Sequence, residues 1–200
     1  MGAYTSAAAR ERVWWARAAL VLLQPVAVFE ELRDDSRESA EARQEPVLAL
    51  VVLAGIAGTL ATTFASTLVD QQGLDAVDVT LWAFLGGALE GFAVYFVLGA
   101  IVYLGGVLAG STWSFRHARH TLAFSVVPLV VSLPVWASAV ASGGGAGFSV
   151  VRVLVVAWCA ALLAIGMRTL HAWSWRRTAA GVALPLAVPA LVLLRAHGLL

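Results

Sequence analysis

Five long apolar segments constrain what this chain can fold into. A helix must contribute about 20 residues to cross roughly 30 Å of hydrocarbon. Helices are the element that fits, because backbone groups in lipid must be hydrogen-bonded within their own segment. The last two segments are short, which predicts locally thinned bilayer or flanking residues that reach the interface. The sequence therefore predicts an all-α integral membrane protein with five transmembrane helices, at residues 46–69, 80–109, 121–141, 150–167 and 179–194, in a bundle over 46–200.

Composition agrees with burial in lipid. Of 200 residues, 60% are hydrophobic and 12% are charged, with a mean hydropathy of +0.85, which is too apolar for an ordinary soluble domain. The thirteen basic residues are all arginine, which hints at a GC-rich bacterial gene. The single cysteine, Cys159, excludes an internal disulfide and a multi-cysteine metal site. A net charge of +1 gives no reason to expect a nucleic-acid partner.

Residues 1–45 form a charged head ahead of the first span, with six arginines and eight acidic residues. Its pattern predicts two short amphipathic helices separated at Pro25, a residue suited to a first helical turn. The apolar side chains of these helices fit two placements: the lipid headgroup region, or the side of the bundle. The sequence leaves both open for Trp14, Trp15, Val28, Phe29 and Leu32.

Arginine placement sets the predicted orientation. Eleven of the thirteen arginines fall in the head, in 110–120 or in 168–178, whereas 70–78 and 142–149 contain none. By the positive-inside rule the N-terminus is cytoplasmic and, after five spans, the C-terminus is outside. We therefore expect a multi-pass protein of the inner (plasma) membrane. Arg152 and Arg195 are the two exceptions.

Glu90 is the only acidic or basic side chain between Val79 and Gly110. A paired charge in a membrane is much less unfavourable than a lone one. Because Arg152 would lie at similar depth if the second and fourth spans touch, we predict a Glu90–Arg152 ion pair. A protonated Glu90 without a partner is the alternative.

Small residues surround Glu90 and recur at the end of the second span. Glycines four apart let helix backbones approach closely in lipid. The spacing predicts helix packing here, and a polar cavity at Glu90 is the functional alternative. The predicted packing positions are Gly86, Gly87, Gly91, Gly106 and Gly110.

Two prolines interrupt the third span, Pro128 and Pro134, in "AFSVVPLVVSLPVW". Each proline removes a backbone donor and clashes with the preceding turn of a helix. We therefore predict that this span is kinked or locally unwound.

Basic residues with interleaved tryptophans flank the third and fourth spans. This pattern predicts cytoplasmic side chains that face lipid and bind its phosphates. Two of the histidines are three residues apart, but apart from His171 and the head no carboxylate or further histidine accompanies them on the cytoplasmic side, so we expect no metal site. We also expect no cofactor and no catalytic residue. The predicted lipid-facing residues are Arg116, His117, Arg119, His120, Arg168, Arg176 and Arg177.

Two stretches carry a family resemblance: "LAGSTWSFRHARHTLAFSVVP", from Leu108 to Pro128, and "QPVAVFEELRDD" in the head. Together with five spans and a cytoplasmic N-terminus, they resemble the Yip domain family, the Ypt-interacting proteins, over about residues 20–195. The resemblance implies a membrane-embedded, non-enzymatic protein. Eukaryotic relatives act in vesicle traffic and bind small Rab-type GTPases, a role that would not apply to a bacterial chain.

Two functions are consistent with the sequence. The first is a membrane scaffold or adaptor that binds other membrane proteins or further copies of itself. The second is a small transporter or channel, in which Glu90, Arg152 and the kinked third span line the path. The family resemblance favours the scaffold.

Overall fold

The computed structural model describes residues 13–61, 76–142 and 146–196, and the regular elements in these ranges are all α-helical. The head contains α1 (13–20), α2 (Pro25–Glu31) and α3 (Arg37–Ala42). The bundle contains α4 (Gln44–Ala61), α5 (Ala76–Leu108), α6 (Phe115–Ser125), α7 (Val127–Val131), α8 (Leu133–Ala141), α9 (Ala146–His171) and α10 (Trp175–Ala196).

Three of the described helices, α4, α5 and α9, are long and apolar enough to cross a membrane, and α6 to α8 make a fourth if they form one bent span. The helices α9 and α10 have 26 and 22 residues, so they are longer than the apolar segments that predict them. The difference arises because both helices continue through flanking polar turns. Residues 62–69 of the predicted first span lie outside the described ranges.

Helices α5 and α9 share α6 and α10 as neighbours but otherwise pack on different helices. Helix α5 packs on α4, α6 and α10, whereas α9 packs on α2, α6, α7 and α10. The bundle is therefore built around α6, which contacts α4, α5 and α9.

Glycines allow the close crossing of α4 and α5. A Cβ atom on Gly55 would overlap the carbonyl oxygen of Gly87 and would lie 2.5 Å from the Cα of Gly91. Of the other predicted packing positions, Gly86 has open space around it and Gly106 lies against the ring of Trp113. Gly87 and Gly91 of α5 therefore make backbone contact with Gly55 of α4 at this crossing.

Gly110 ends α5. Its φ of +84° lies in the left-handed region that glycine adopts without strain. The Ser111 N–H then donates to the Gly106 carbonyl at 2.9 Å, as expected of a helix C-terminus.

The predicted third span is broken at Val126 and Ser132, and the two parts on either side of Ser132 are bent by 45°. Pro128 and Pro134 each lie in the first turn of the helix that follows a break, where a missing N–H leaves no carbonyl unpaired. The Trp136 Nε1–H donates to the Ser132 Oγ at 2.7 Å.

The head packs on the bundle. Phe29 and Leu32 have no exposed surface, and they share one apolar cluster with Tyr95 and Phe124 of the bundle. The Phe29 ring fits against Gly166, where a Cβ would come within 2.9 Å of it. Of the two placements that the sequence allows, the structure has the head against the helices. Trp15, by contrast, remains exposed.

Candidate functional site

Arg43 lies at the junction of α3 and α4, and its side chain is completely buried. The guanidinium donates from Nε to the His120 Nδ1 at 2.8 Å and from Nη1 to the Asp34 carbonyl at 2.7 Å. It donates from Nη2 to the Asp35 Oδ1 at 2.9 Å. A buried charge is tolerated only when it is paired and hydrogen-bonded, and Arg43 meets both conditions.

Asp35 connects the head to α6. Its carboxylate accepts from the Arg116 Nε at 3.0 Å and from the Ser114 Oγ at 2.9 Å, in addition to Arg43. The Arg116 Nη2 also donates to the Asp35 carbonyl at 2.9 Å. We call this set the Arg43 network: Arg43, Asp34, Asp35, Ser114, Arg116 and His120.

Two serine caps explain why these groups meet. Ser36 caps α3 by accepting from the Ser39 N–H at 3.3 Å, and its own N–H donates to Asp34 at 3.0 Å, which fixes the "DDS" turn. Ser114 caps α6 by accepting from the His117 N–H at 3.1 Å. The same hydroxyl donates to Asp35, so two local turns place the carboxylate between them.

The pKa values of both Arg43 and Asp35 are shifted from their ordinary values. Burial raises the pKa of Asp35, but hydrogen bonds from Arg116 and Ser114 outweigh it, so its pKa lies below the ordinary value of 3.8. Burial lowers the pKa of Arg43, and the charge of Asp35 opposes that effect. The charge of each group thus favours the charged form of the other.

The predicted lipid-facing set is divided by these contacts. Arg116 and His120 belong to the Arg43 network, and His117 bonds to the Leu32 carbonyl of the head. Arg177 donates to the Ala109 carbonyl at 2.7 Å and so caps α5. These side chains therefore have protein carboxylates and main-chain carbonyls within hydrogen-bond distance. The remaining members are Arg119, with its guanidinium among aromatic rings, Arg168, over Trp175, and the exposed Arg176.

The structure does not bring Glu90 to Arg152. The Glu90 Oε2 accepts from the Thr59 Oγ1 of α4 at 2.7 Å. Arg152 lies on α9, which packs on other helices, and its Nε is buried without a hydrogen-bond partner in the described ranges. Glu90 also lines a cavity of about 180 Å³, which is bordered by Gly55, Gly58, Gly91 and apolar side chains of α4, α5 and α6. We call this the Glu90 cavity.

The Arg43 network has the chemistry of a structural junction. Each guanidinium nitrogen of Arg43 donates to a protein acceptor, and the side chain has no exposed surface that a substrate could reach. The described residues contain no group of three or more His, Cys, Asp or Glu side chains that could hold a metal ion. What the network can do is hold the head in one position against α4 and α6.

Neither Arg43 nor Asp35 is conspicuous in the sequence. Both sit in a charged stretch that is typical of a solvated surface. The available signal is position: Arg43 is the last basic residue before the first span, and it follows Asp35 by eight residues.

Acidification is expected to weaken attachment of the head. Because the pKa of Asp35 is lowered in the fold, its ionised form stabilises the folded state. That contribution is complete above the ordinary pKa of about 4 and is lost as the pH falls through the lowered pKa. The midpoint temperature of thermal unfolding should therefore decrease once the pH is lowered below about 4. Asp35→Asn should have a lower midpoint at neutral pH and a flatter profile in acid, and parallel profiles would contradict this role.

Comparison with known proteins gives one match. A family model described as the Yip1 domain matches residues 19–196, a range that includes the Arg43 network and the helices of the bundle. Neither the search of curated proteins nor the search of solved structures gives a match. The Yip1 family is a family of non-enzymatic membrane proteins.

Proposed function

This chain belongs to the Yip1 domain family, which confirms the resemblance seen in its motifs, and we propose that it is a multi-pass membrane scaffold or adaptor. In this proposal it crosses the inner membrane five times, with a cytoplasmic head and an external C-terminus. Its partners are other membrane proteins or further copies of itself, and it performs no catalysis.

The observation that carries the proposal is the buried Arg43 network. A scaffold needs a surface whose shape persists without its partner, because preorganisation reduces the entropy lost on binding. Arg43 and Asp35 connect α3, α4 and α6 through groups far apart in the sequence. The head is thus held by charge and by the apolar cluster around Phe29, as a fixed platform at one end of the bundle.

The outer face of this platform is polar and accessible. Arg37 and Glu41 form an exposed i,i+4 pair on α3, and Glu38 is exposed between them. Such a pair contributes little to stability, so these side chains can take part in binding without loss of fold. We assign partner contact to this face of α3.

Site-specific photocrosslinking tests the proposal. A photoreactive residue at Glu38 in membranes of the source cell should yield discrete crosslinked protein bands, and the same residue at Leu154 of α9, 63% exposed, controls for contact with lipid. Arg43→Met should reduce the Glu38 bands by releasing the platform, whereas Glu90→Gln should leave them intact. Bands that persist unchanged in Arg43→Met, or no bands from Glu38, would overturn the proposal.

The Glu90 cavity favours a second candidate, a small transporter or channel. A carboxylate beside a cavity within an apolar helix pair is a typical cation or proton site. If this alternative holds, Glu90→Gln abolishes solute flux in reconstituted vesicles. Transport would then not depend on the partner contacts that crosslinking at Glu38 reports. The structure supports it less well, because Arg152 lies away from the cavity lining.

A further inference from the structure

A groove of about 470 Å³ lies between the head and the start of the bundle, bordered by α3, α4, α5 and α6. We call it the basic groove. Three arginines contribute to its wall, one from α3 and two from α6, together with three aromatic residues of α5. These are Arg37, Arg116, Arg119, Phe92, Tyr95 and Phe96.

The three arginines differ in their partners. Arg37 pairs with Glu41 at 2.8 Å, and Arg116 pairs with Asp35 at 3.0 Å. Arg119 forms no ion pair and no hydrogen bond within the described ranges, and its Nε is buried without a partner. Arg119 therefore contributes a positive charge to the groove that no described carboxylate neutralises.

Packing fixes the position of this charge. The Arg119 guanidinium carbon lies 5.1 Å from the ring centre of Tyr95, 4.7 Å from that of Phe96 and 4.7 Å from that of Phe115. Its stem runs over Gly99, where a Cβ would lie 2.5 Å from the Arg119 Cγ. Rings on several sides and a glycine below hold the guanidinium in place, so little entropy is lost when it binds an anion.

The rest of the lining is amphipathic. Leu48, Phe92 and Phe96 are 39%, 36% and 49% exposed and give one side of the groove an open apolar surface. Glu41 and Gln44 give the head side hydrogen-bonding groups. A ligand that suits this lining combines a single negative charge, hydroxyl or ammonium groups and hydrocarbon. The Glu41 carboxylate disfavours small anions of higher charge.

We propose that the basic groove binds one membrane phospholipid, with its phosphodiester on Arg119. The headgroup points towards Glu41 and Gln44, and an acyl chain lies along Leu48, Phe92 and Phe96. Arg119 supplies charge-assisted hydrogen bonds to the phosphate, and the apolar wall distinguishes a lipid from a soluble phosphate.

Native mass spectrometry of the full chain in detergent tests this site with phosphatidylglycerol as the probe. Arg119→Gln should weaken phosphatidylglycerol binding about tenfold, in line with about 1.4 kcal/mol for one charge-assisted contact. Arg17→Gln, an equal change of charge in α1 outside the groove, should change it less than about twofold. Arg37→Gln should weaken binding by about threefold without a risk to the fold, because this side chain is 89% exposed.

Two further ligands separate the possible sources of the phosphate. Diacylglycerol, which lacks the phosphate, and glycerol phosphate, which lacks the chains, should both bind much more weakly than phosphatidylglycerol. Equal losses in Arg119→Gln and Arg17→Gln would indicate general surface charge and overturn the proposal. Tight binding of glycerol phosphate or inorganic phosphate, or equal binding of diacylglycerol, would overturn it as well. These results do not depend on the crosslinks at Glu38.

Discussion

Arg43→Met is expected to lower the free energy of unfolding by about 3 kcal/mol, since removal of one member of a buried ion pair typically costs about 3–5 kcal/mol. The lower end applies because Asp35 keeps Arg116 and Ser114 as partners. Methionine fills most of the volume, so the loss is electrostatic: His120 and the Asp34 carbonyl lose their donor. Thermal unfolding in detergent, read by near-ultraviolet circular dichroism, measures the change.

Arg37→Met is the matched control. Arg37 lies two turns earlier and pairs with Glu41, but its side chain is 89% exposed. Exposed pairs contribute about 0–1 kcal/mol, so this variant should unfold close to the wild-type temperature. If both variants unfold alike, Arg43 is not the central contact between head and bundle.

Gly55→Ala is expected to reduce stability by at least about 3 kcal/mol, beyond the usual range for overpacking in a core. The new methyl would overlap backbone atoms of Gly87 and Gly91, which cannot move aside as a side chain can. Helices α4 and α5 would have to separate along their whole crossing. The Thr59–Glu90 hydrogen bond, which spans the same crossing, would lengthen or break.

Gly58→Ala, one turn further along α4, is the control for this position. Nothing lies within 4 Å of a Cβ on Gly58, so the methyl fits without clash. Alanine is about 1 kcal/mol better than glycine in a helix, so stability should be unchanged or slightly higher. A similar loss in both variants would show that the crossing tolerates no side chain anywhere, and would contradict the specific role of Gly55.

Much of the fold was predictable from the sequence, because lipid imposes simple rules. Hydropathy located the helices, and the Pro128 and Pro134 positions indicated where the third span departs from a straight helix. Glycine spacing indicated Gly87 and Gly91 as packing positions. Spacing does not identify which helix lies opposite, so the sequence predicts Arg152 as the partner of Glu90, whereas the structure gives it Thr59.

The junction of head and bundle was not predictable in the same way. Arg43 and His120 are 77 residues apart, and each lies in a local sequence that resembles a solvated or lipid-facing surface. Only tertiary packing shows that the junction of α3 and α4 lies against α6, which excludes water from both side chains. Arg119 and Arg116 are likewise equivalent by composition, and both line the basic groove, but Arg116 pairs with Asp35 whereas Arg119 has no ion-pair partner among the described residues.

Hydrogen exchange of the head in nanodiscs tests the central claim most directly, because protection reports the free energy of local opening. If the head is a platform held by the Arg43 network, amides of α2 and α3 exchange slowly in the wild type, and Arg43→Met increases their rates while α9 stays protected. Fast exchange of α2 and α3 in the wild type, or protection that Arg43→Met leaves unchanged, would contradict the claim.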